Sequence, residues 1–145
     1  MTAGIGALAL ATASSAQENA DSAEVASVVE SFHAALQAAD TARVLALLAP
    51  ESAVLESGAT ETLAEYRAHH LPGDIAFARA VRSERKPVHV RVSGDVAWTM
   101  STSATTGIFQ GREIDAAGAE SMVLVRSGTS WRIMQIHWSS RTRRR

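Results

Sequence analysis

The sequence predicts one α+β domain in which helices come first and an antiparallel sheet follows. Three observations carry the prediction. Between Ser22 and His70 apolar residues recur at helical spacing, from Val88 onward they alternate with polar ones, and no repeat, low-complexity tract or linker separates the two stretches. Such a layout buries helices across the apolar side of a twisted sheet. At 145 residues the chain fits a single core, since such cores form in roughly the 100–200-residue range. With 46% hydrophobic and 20% charged residues it reads as an ordinary globule, not as a disordered or fibrous chain.

Residues 1–16 read MTAGIGALALATASSA. An apolar run, Ile5 to Ala11, precedes small residues, with Ser14 and Ala16 placed as the pair a signal peptidase requires, so cleavage is expected before Gln17. The basic segment that normally opens a signal peptide is missing, the first Lys or Arg being Arg43, which suggests a start inside a longer leader. The run is too short for a membrane span of about 20 residues, so no stable membrane insertion is expected. A periplasmic or secreted location is expected; the alternative is a cytoplasmic protein with a disordered Ala-rich leader.

From Ser22 to Ala38, Val25, Val28, Val29, Phe32 and Leu36 lie on one face of an amphipathic helix. Asp40 stands as an N-cap for a short second helix through Val44 to Leu48, which Pro50 ends. Ser52 to Glu56 reads as a brief strand bounded by Pro50 and Gly58. Thr62 and Glu65 form a capping box for a third helix, with Leu63, Tyr66 and His70 along one side and a break expected at Leu71-Pro72-Gly73. Residues 74–81 add a further helical turn. Then Val88, Val90 and Val92 alternate with His89 and Arg91, Ser93-Gly94-Asp95 turns, and Val96, Trp98 and Met100 alternate with Ala97, Thr99 and Ser101. A turn is expected around Gly107 to Gly118, followed by a strand over Ser121 to Val125, a turn at Ser127-Gly128-Thr129 and a last strand from Trp131 to Ser139. The domain thus occupies residues 17–140, leaving 141–145 as a basic tail.

Net charge is −1, so no global field recruits nucleic acid or an anionic membrane, and no nucleic-acid partner is expected. Four arginines among residues 141–145 leave the remainder of the chain at −5, and such a tail is most simply a solvated terminus. Without cysteine there are no disulfides, thiolate zinc sites or cysteine nucleophiles. No nucleophile elbow and no phosphate-cradling loop occurs, and no cofactor is expected. The histidines lack the i, i+3 or i+4 spacing of helical metal ligands, so no metal is expected either.

The phrases SFHAALQAAD at residues 31–40, VLALLAP at 44–50, VLESG at 54–58 and WRIMQIHWS at 131–139, in this order of elements, resemble the NTF2-like superfamily and its SnoaL-like branch. The likeness spans roughly residues 23–140. It implies a cone-shaped fold, helices held in a curved, mostly antiparallel sheet, with a pocket open at one end. It says little about activity, because this scaffold hosts isomerases, cyclases, dehydratases, hydrolases and non-catalytic binders. Homodimerisation through the open sheet face is a use that members commonly make of it.

Within that frame, polar residues on apolar segments are the candidates. Glu56 falls where the superfamily's ketosteroid isomerases place their general-base aspartate, and a carboxylate at an apolar pocket mouth suits proton abstraction. The position matching their oxyanion-stabilising tyrosine is Phe32, which donates no hydrogen bond. Strict alternation puts His137 on the side of Trp131, Ile133, Gln135 and Ser139, where it serves as acid, base or structural histidine. His33 at the edge of helix one, Tyr66 and His70 on helix three, Glu120 as a second carboxylate, and Phe32 and Trp98 complete the expected ligand-binding set. Glu120 has surface pairing with Arg112 or Arg126 as its alternative, and Trp98 a place in the core or a dimer interface. Three functions stay open: a binder of a small hydrophobic molecule, an isomerase, dehydratase or cyclase using Glu56 with His137, or a non-catalytic dimerisation module.

Overall fold

The computed structural model describes residues 6–143, and for residues 6–16 the backbone alone. Helix α1 spans Gly6–Ala38 and buries Val25, Val29, Phe32, Ala35 and Leu36 along the stripe the sequence anticipates. It begins well before Ser22 because the alanine-rich stretch ahead has high intrinsic helix propensity. The expected leader thus runs from residues 1–5, outside the described ones, into helical backbone. Among the described residues no helix is long and apolar enough to cross a membrane.

Asp40 caps α2 (Thr41–Leu47), its carboxylate accepting the Arg43 amide at 2.9 Å. Strand β1 (Leu48–Glu56) comes next, irregular around Pro50, which cannot donate to a ladder. A two-residue turn at Ser57-Gly58, with φ of 53° and 81°, leads into β2 (Ala59–Thr62), a strand that the sequence pattern does not announce.

Thr62 and Glu65 make the expected capping box of α3 (Leu63–Glu65). Beyond Glu65 the structure departs from expectation. The chain passes through one π-helical turn, Tyr66–His70, directly into α4 (Leu71–Ala80), so Leu71-Pro72-Gly73 opens a helix instead of ending one. Proline suits a first helical turn, where its missing N–H has no partner to lose.

Strand β3 (Val81–Arg85), also unanticipated, and β4 (His89–Ser93) both pair with β5 (Val96–Phe109). Strand β5 turns at Gln110-Gly111 into β6 (Arg112–Ser127), so most of the turn expected over residues 107–118 is strand. Its small residues face a hollow rather than forming a loop. Strand β7 (Ser130–Thr142) closes the meander, running through Thr142, and Arg143 pairs with Asp115. The sheet order is β2-β1-β7-β6-β5-β3, with β4 also on β5; among the described residues only β1 and β7 are parallel. This is the α+β cone fold that the resemblance implied.

One irregularity decides the face of every residue after it. In the β6–β7 ladder Leu124 pairs with Ile133 but Val123 pairs with Gln135, leaving Met134 as a bulge. A one-residue slip moves all later side chains to the opposite face. Trp131, Ile133, Ile136 and Trp138 therefore share the inner face, the first three buried in the core against α1, while His137 points outward and is exposed.

Candidate functional site

Cross-strand rows on the inner face build the site. Val54, Ile136, Met122 and Thr99 stand side by side on β1, β7, β6 and β5 and belong to the buried interior. One step along comes a row of chemistry: Glu56, Trp138, Glu120 and Ser101. The next row is small, with Ser140, Gly118 and Ser103 leading to Arg85 of β3. Apolar bulk thus gives way to polar groups and then to empty space, and a cavity of about 520 Å³ opens there. The edges of α1 and α4 complete its wall with His33, Leu36, Asp74 and Phe77. Phe77 meets Phe109 edge-on, ring centroids 5.3 Å apart, at one side.

Glu120 meets three side chains, Ser101, Trp138 and His33. Its Oε2 accepts the Trp138 indole N–H at 2.6 Å and stands 2.9 Å from His33 Nε2, a contact lacking the angle of a good hydrogen bond. Burial alone would raise this carboxyl, but His33, Trp138 and the charge of Arg85 outweigh it and hold Glu120 below its ordinary value. It is therefore a fixed negative charge beside an imidazole.

Asp74 answers it from α4. Its Oδ2 accepts the Tyr66 hydroxyl at 2.9 Å. Burial pushes its pKa up to about 6; the Tyr66 bond opposes that shift and the charge of Glu56 adds to it. Burial and the nearby carboxylates likewise push the Tyr66 hydroxyl upward, so it stays a neutral donor. At the mouth His70 contacts Glu61 through Nδ1 at 2.9 Å and approaches Glu56 at 4.0 Å, and the Glu61 contact raises its proton affinity.

Of the sequence-predicted residues, Glu56, His33, His70 and Glu120 line one cavity. Tyr66 and Phe32 lie fully buried behind it, Tyr66 holding Asp74 and Phe32 packed against the rings of His33 and Trp138. Three expectations are corrected. His137 is turned away by the Met134 bulge, and Trp138 takes the inward place beside Glu56. Trp98 lies on the outer face, 43% exposed, because the inward positions of β5 are Ala97, Thr99 and Ser101. Glu120 pairs with His33 and Trp138, not with Arg112 or Arg126. Arg126 instead holds Asp21 at 2.8 Å and covers Trp131. Sequence reasoning misses Asp74 and Arg85. Asp74 shares a helical face with Phe77 and Ala78, three and four residues on, and that spacing is the signal that finds it.

Comparison with known proteins gives a concordant picture. The profile of the SnoaL-like domain matches residues 25–142. A candidate ketosteroid isomerase from Shewanella frigidimarina is 35% identical, with a TM-score of 0.75, over 78% of this chain and 92% of that one. An NTF2-like protein with a cystatin-like fold from Novosphingobium aromaticivorans superposes with a TM-score of 0.73 at 17% identity, covering 93% of this chain and 90% of that one. A candidate NTF2-like dehydratase from Streptomyces avermitilis gives 0.67 at 16% identity, covering 84% and 97% respectively. No curated protein matches the chain.

Proposed function

Since the chain belongs to the SnoaL-like domain family, we propose that its cavity binds a small, largely apolar carbonyl compound and moves a proton on it, as an isomerase or dehydratase does. The observation that carries this reading is Asp74: a partly buried carboxyl, held by Tyr66 and poised near pH 6, facing the same cavity as the His33–Glu120 pair. A base works best when its pKa lies near the working pH. Asp74 takes the proton from the carbon next to the carbonyl, and His33 donates a hydrogen bond to the carbonyl oxygen as it becomes an enolate. The Glu120 carboxylate, 2.9 Å from His33 Nε2, holds the ring in place for that role. Glu56, 32% exposed at the mouth, acts through its charge on Asp74 rather than as the base. The names carried by the Shewanella and Streptomyces proteins, an isomerase and a dehydratase, agree with proton transfer.

Two assays test this: deuterium uptake from solvent into 2-tetralone, and conjugation of a 3-oxo-Δ5-steroid followed by absorbance. Both Asp74→Asn and His33→Asn are expected to lower the rate by at least about 100-fold, while Glu56→Gln keeps most of it. An inert wild-type protein, or an Asp74→Asn variant with full activity, refutes the reading.

A second inference concerns assembly. Val96, Trp98 and Met100, 43%, 43% and 51% exposed, form an apolar lane on the outer face of β5, and we infer that a second copy of the chain covers it.

A further inference from the structure

Proton transfer between Asp74, His33 and a carbonyl compound uses Arg85 only through its charge on Glu120 and gives its N–H groups nothing to hold. Arg85 ends β3, points inward opposite Ser103, lines the cavity and is only 18% exposed. A guanidinium withdrawn this far from water needs acceptors around its fork of N–H groups. Its Nη2 reaches Glu30 Oε2 of α1 at 3.0 Å, but Glu30 is itself 58% exposed, so the pair is screened. Its Nε is buried and has no partner among the described residues. The guanidinium is therefore oriented by Glu30 and left under-satisfied.

The space beside it is kept open by sequence. Across the strands Ser103 faces Gly118, where a Cβ would stand 2.7 Å from the Ser103 Oγ. Any side chain at residue 118 crowds that hydroxyl, and glycine leaves it uncovered. Ser83 and Thr105, which share a hydrogen bond of 2.8 Å, line the same wall. Further along the same two strands the wall turns apolar with Val81 and Phe109, and Phe77 of α4 packs edge-on against Phe109. Elsewhere the cavity presents Glu56, Asp74 and Glu120, which repel an anion.

We propose that Arg85 and Ser103 form a carboxylate subsite, and that the molecule taken into the cavity is a small amphiphilic carboxylic acid whose apolar body lies against Phe77 and Phe109. This names the substrate class of the proton-transfer site and rests on that reading. A carboxylate fits better than a phosphate. Its two oxygens match the guanidinium edge, and one negative charge is what a cation half-neutralised by Glu30, among three carboxylates, can still balance.

Calorimetric titration with 2-naphthoate and with its uncharged methyl ester tests the subsite. The wild-type protein is expected to bind the acid about tenfold or more tightly than the ester. Arg85→Met is expected to abolish that preference, and Glu30→Gln, which removes the competing carboxylate from an exposed position, to enlarge it. Equal or weaker binding of the acid by the wild-type protein, a preference that survives Arg85→Met, or one that shrinks in Glu30→Gln overturns the proposal. The two readings fail separately. Lost deuterium uptake with an intact acid preference removes proton transfer and leaves the subsite, whereas intact uptake without preference does the reverse.

Discussion

Asp74 sits in a balance whose sign can be worked out. A carboxyl that holds its proton more tightly folded than unfolded stabilises the fold below its ordinary value of 3.8 and loses that contribution as pH rises through about 6. At pH 7 the ionised group costs up to roughly 3 kcal/mol. Asp74→Asn keeps an acceptor for the Tyr66 hydroxyl, so it is expected to raise Tm at pH 7 and to leave it unchanged below about pH 4. Thermal denaturation followed by circular dichroism across that range checks it, and a Tm at pH 7 no higher than wild type counts against burial as the cause. The same carboxyl, acting as base, makes kcat/KM climb through about pH 6. Glu56, His33, His70 and Glu120 were legible in the sequence as isolated polar residues on apolar elements, and they meet in one cavity. Their partners were not legible, because Glu120 meets His33 across 87 residues of chain, a distance no local spacing encodes.

At the scale of elements, two glycines separate tight packing from cavity shape. Gly107 holds φ at 153°, and a Cβ there would stand 3.0 Å from the Val81 Cα and 3.1 Å from the Ala80 carbonyl, both backbone. Gly107→Ala therefore forces β3 and β5 apart and is expected to cost about 1–3 kcal/mol. Gly118→Ala meets only a serine hydroxyl, which can rotate, so its cost is expected to stay below about 1 kcal/mol while the cavity narrows. Urea unfolding of the two variants decides, and the reverse order of stability refutes this account. The Met134 bulge belongs to this scale as well. Strict alternation along β7 holds up to Ile133 and is inverted from Ile136 on, because a bulge leaves no mark in a run of apolar and polar residues. For the same reason β3 is silent in the sequence, since VRSER carries one apolar residue and owes its strand form to β5.

For the whole molecule, the unusual feature is a sheet with apolar side chains on its outer face. Inward on β5 lie Ala97, Thr99, Ser101, Ser103 and Thr105, whereas Val96, Trp98 and Met100 face out. An apolar residue on the outer face gains burial only when a partner covers it. Trp98→Glu is accordingly expected to turn a dimer into a monomer in sedimentation equilibrium, with Tm of the isolated domain and deuterium uptake little changed. A wild-type protein that stays monomeric at every concentration sinks the inference.

The sequence by itself determined the class of fold and the order of most elements, because helical and strand periodicities, the capping box at Thr62 and Glu65 and the turn glycines are local properties. It also supplied the family, through phrases spread over nearly the whole domain. Tertiary structure alone decided which faces turn inward and which distant groups meet. A bulge at Met134 reversed His137 and Trp138, a π-helical turn carried helix past Pro72 and brought Asp74 to the cavity, and strand pairing drew Arg85 to Ser103. Each of these depends on ladder register and packing between segments far apart in the chain, where the balance is struck by contacts and not by the preference of any one residue.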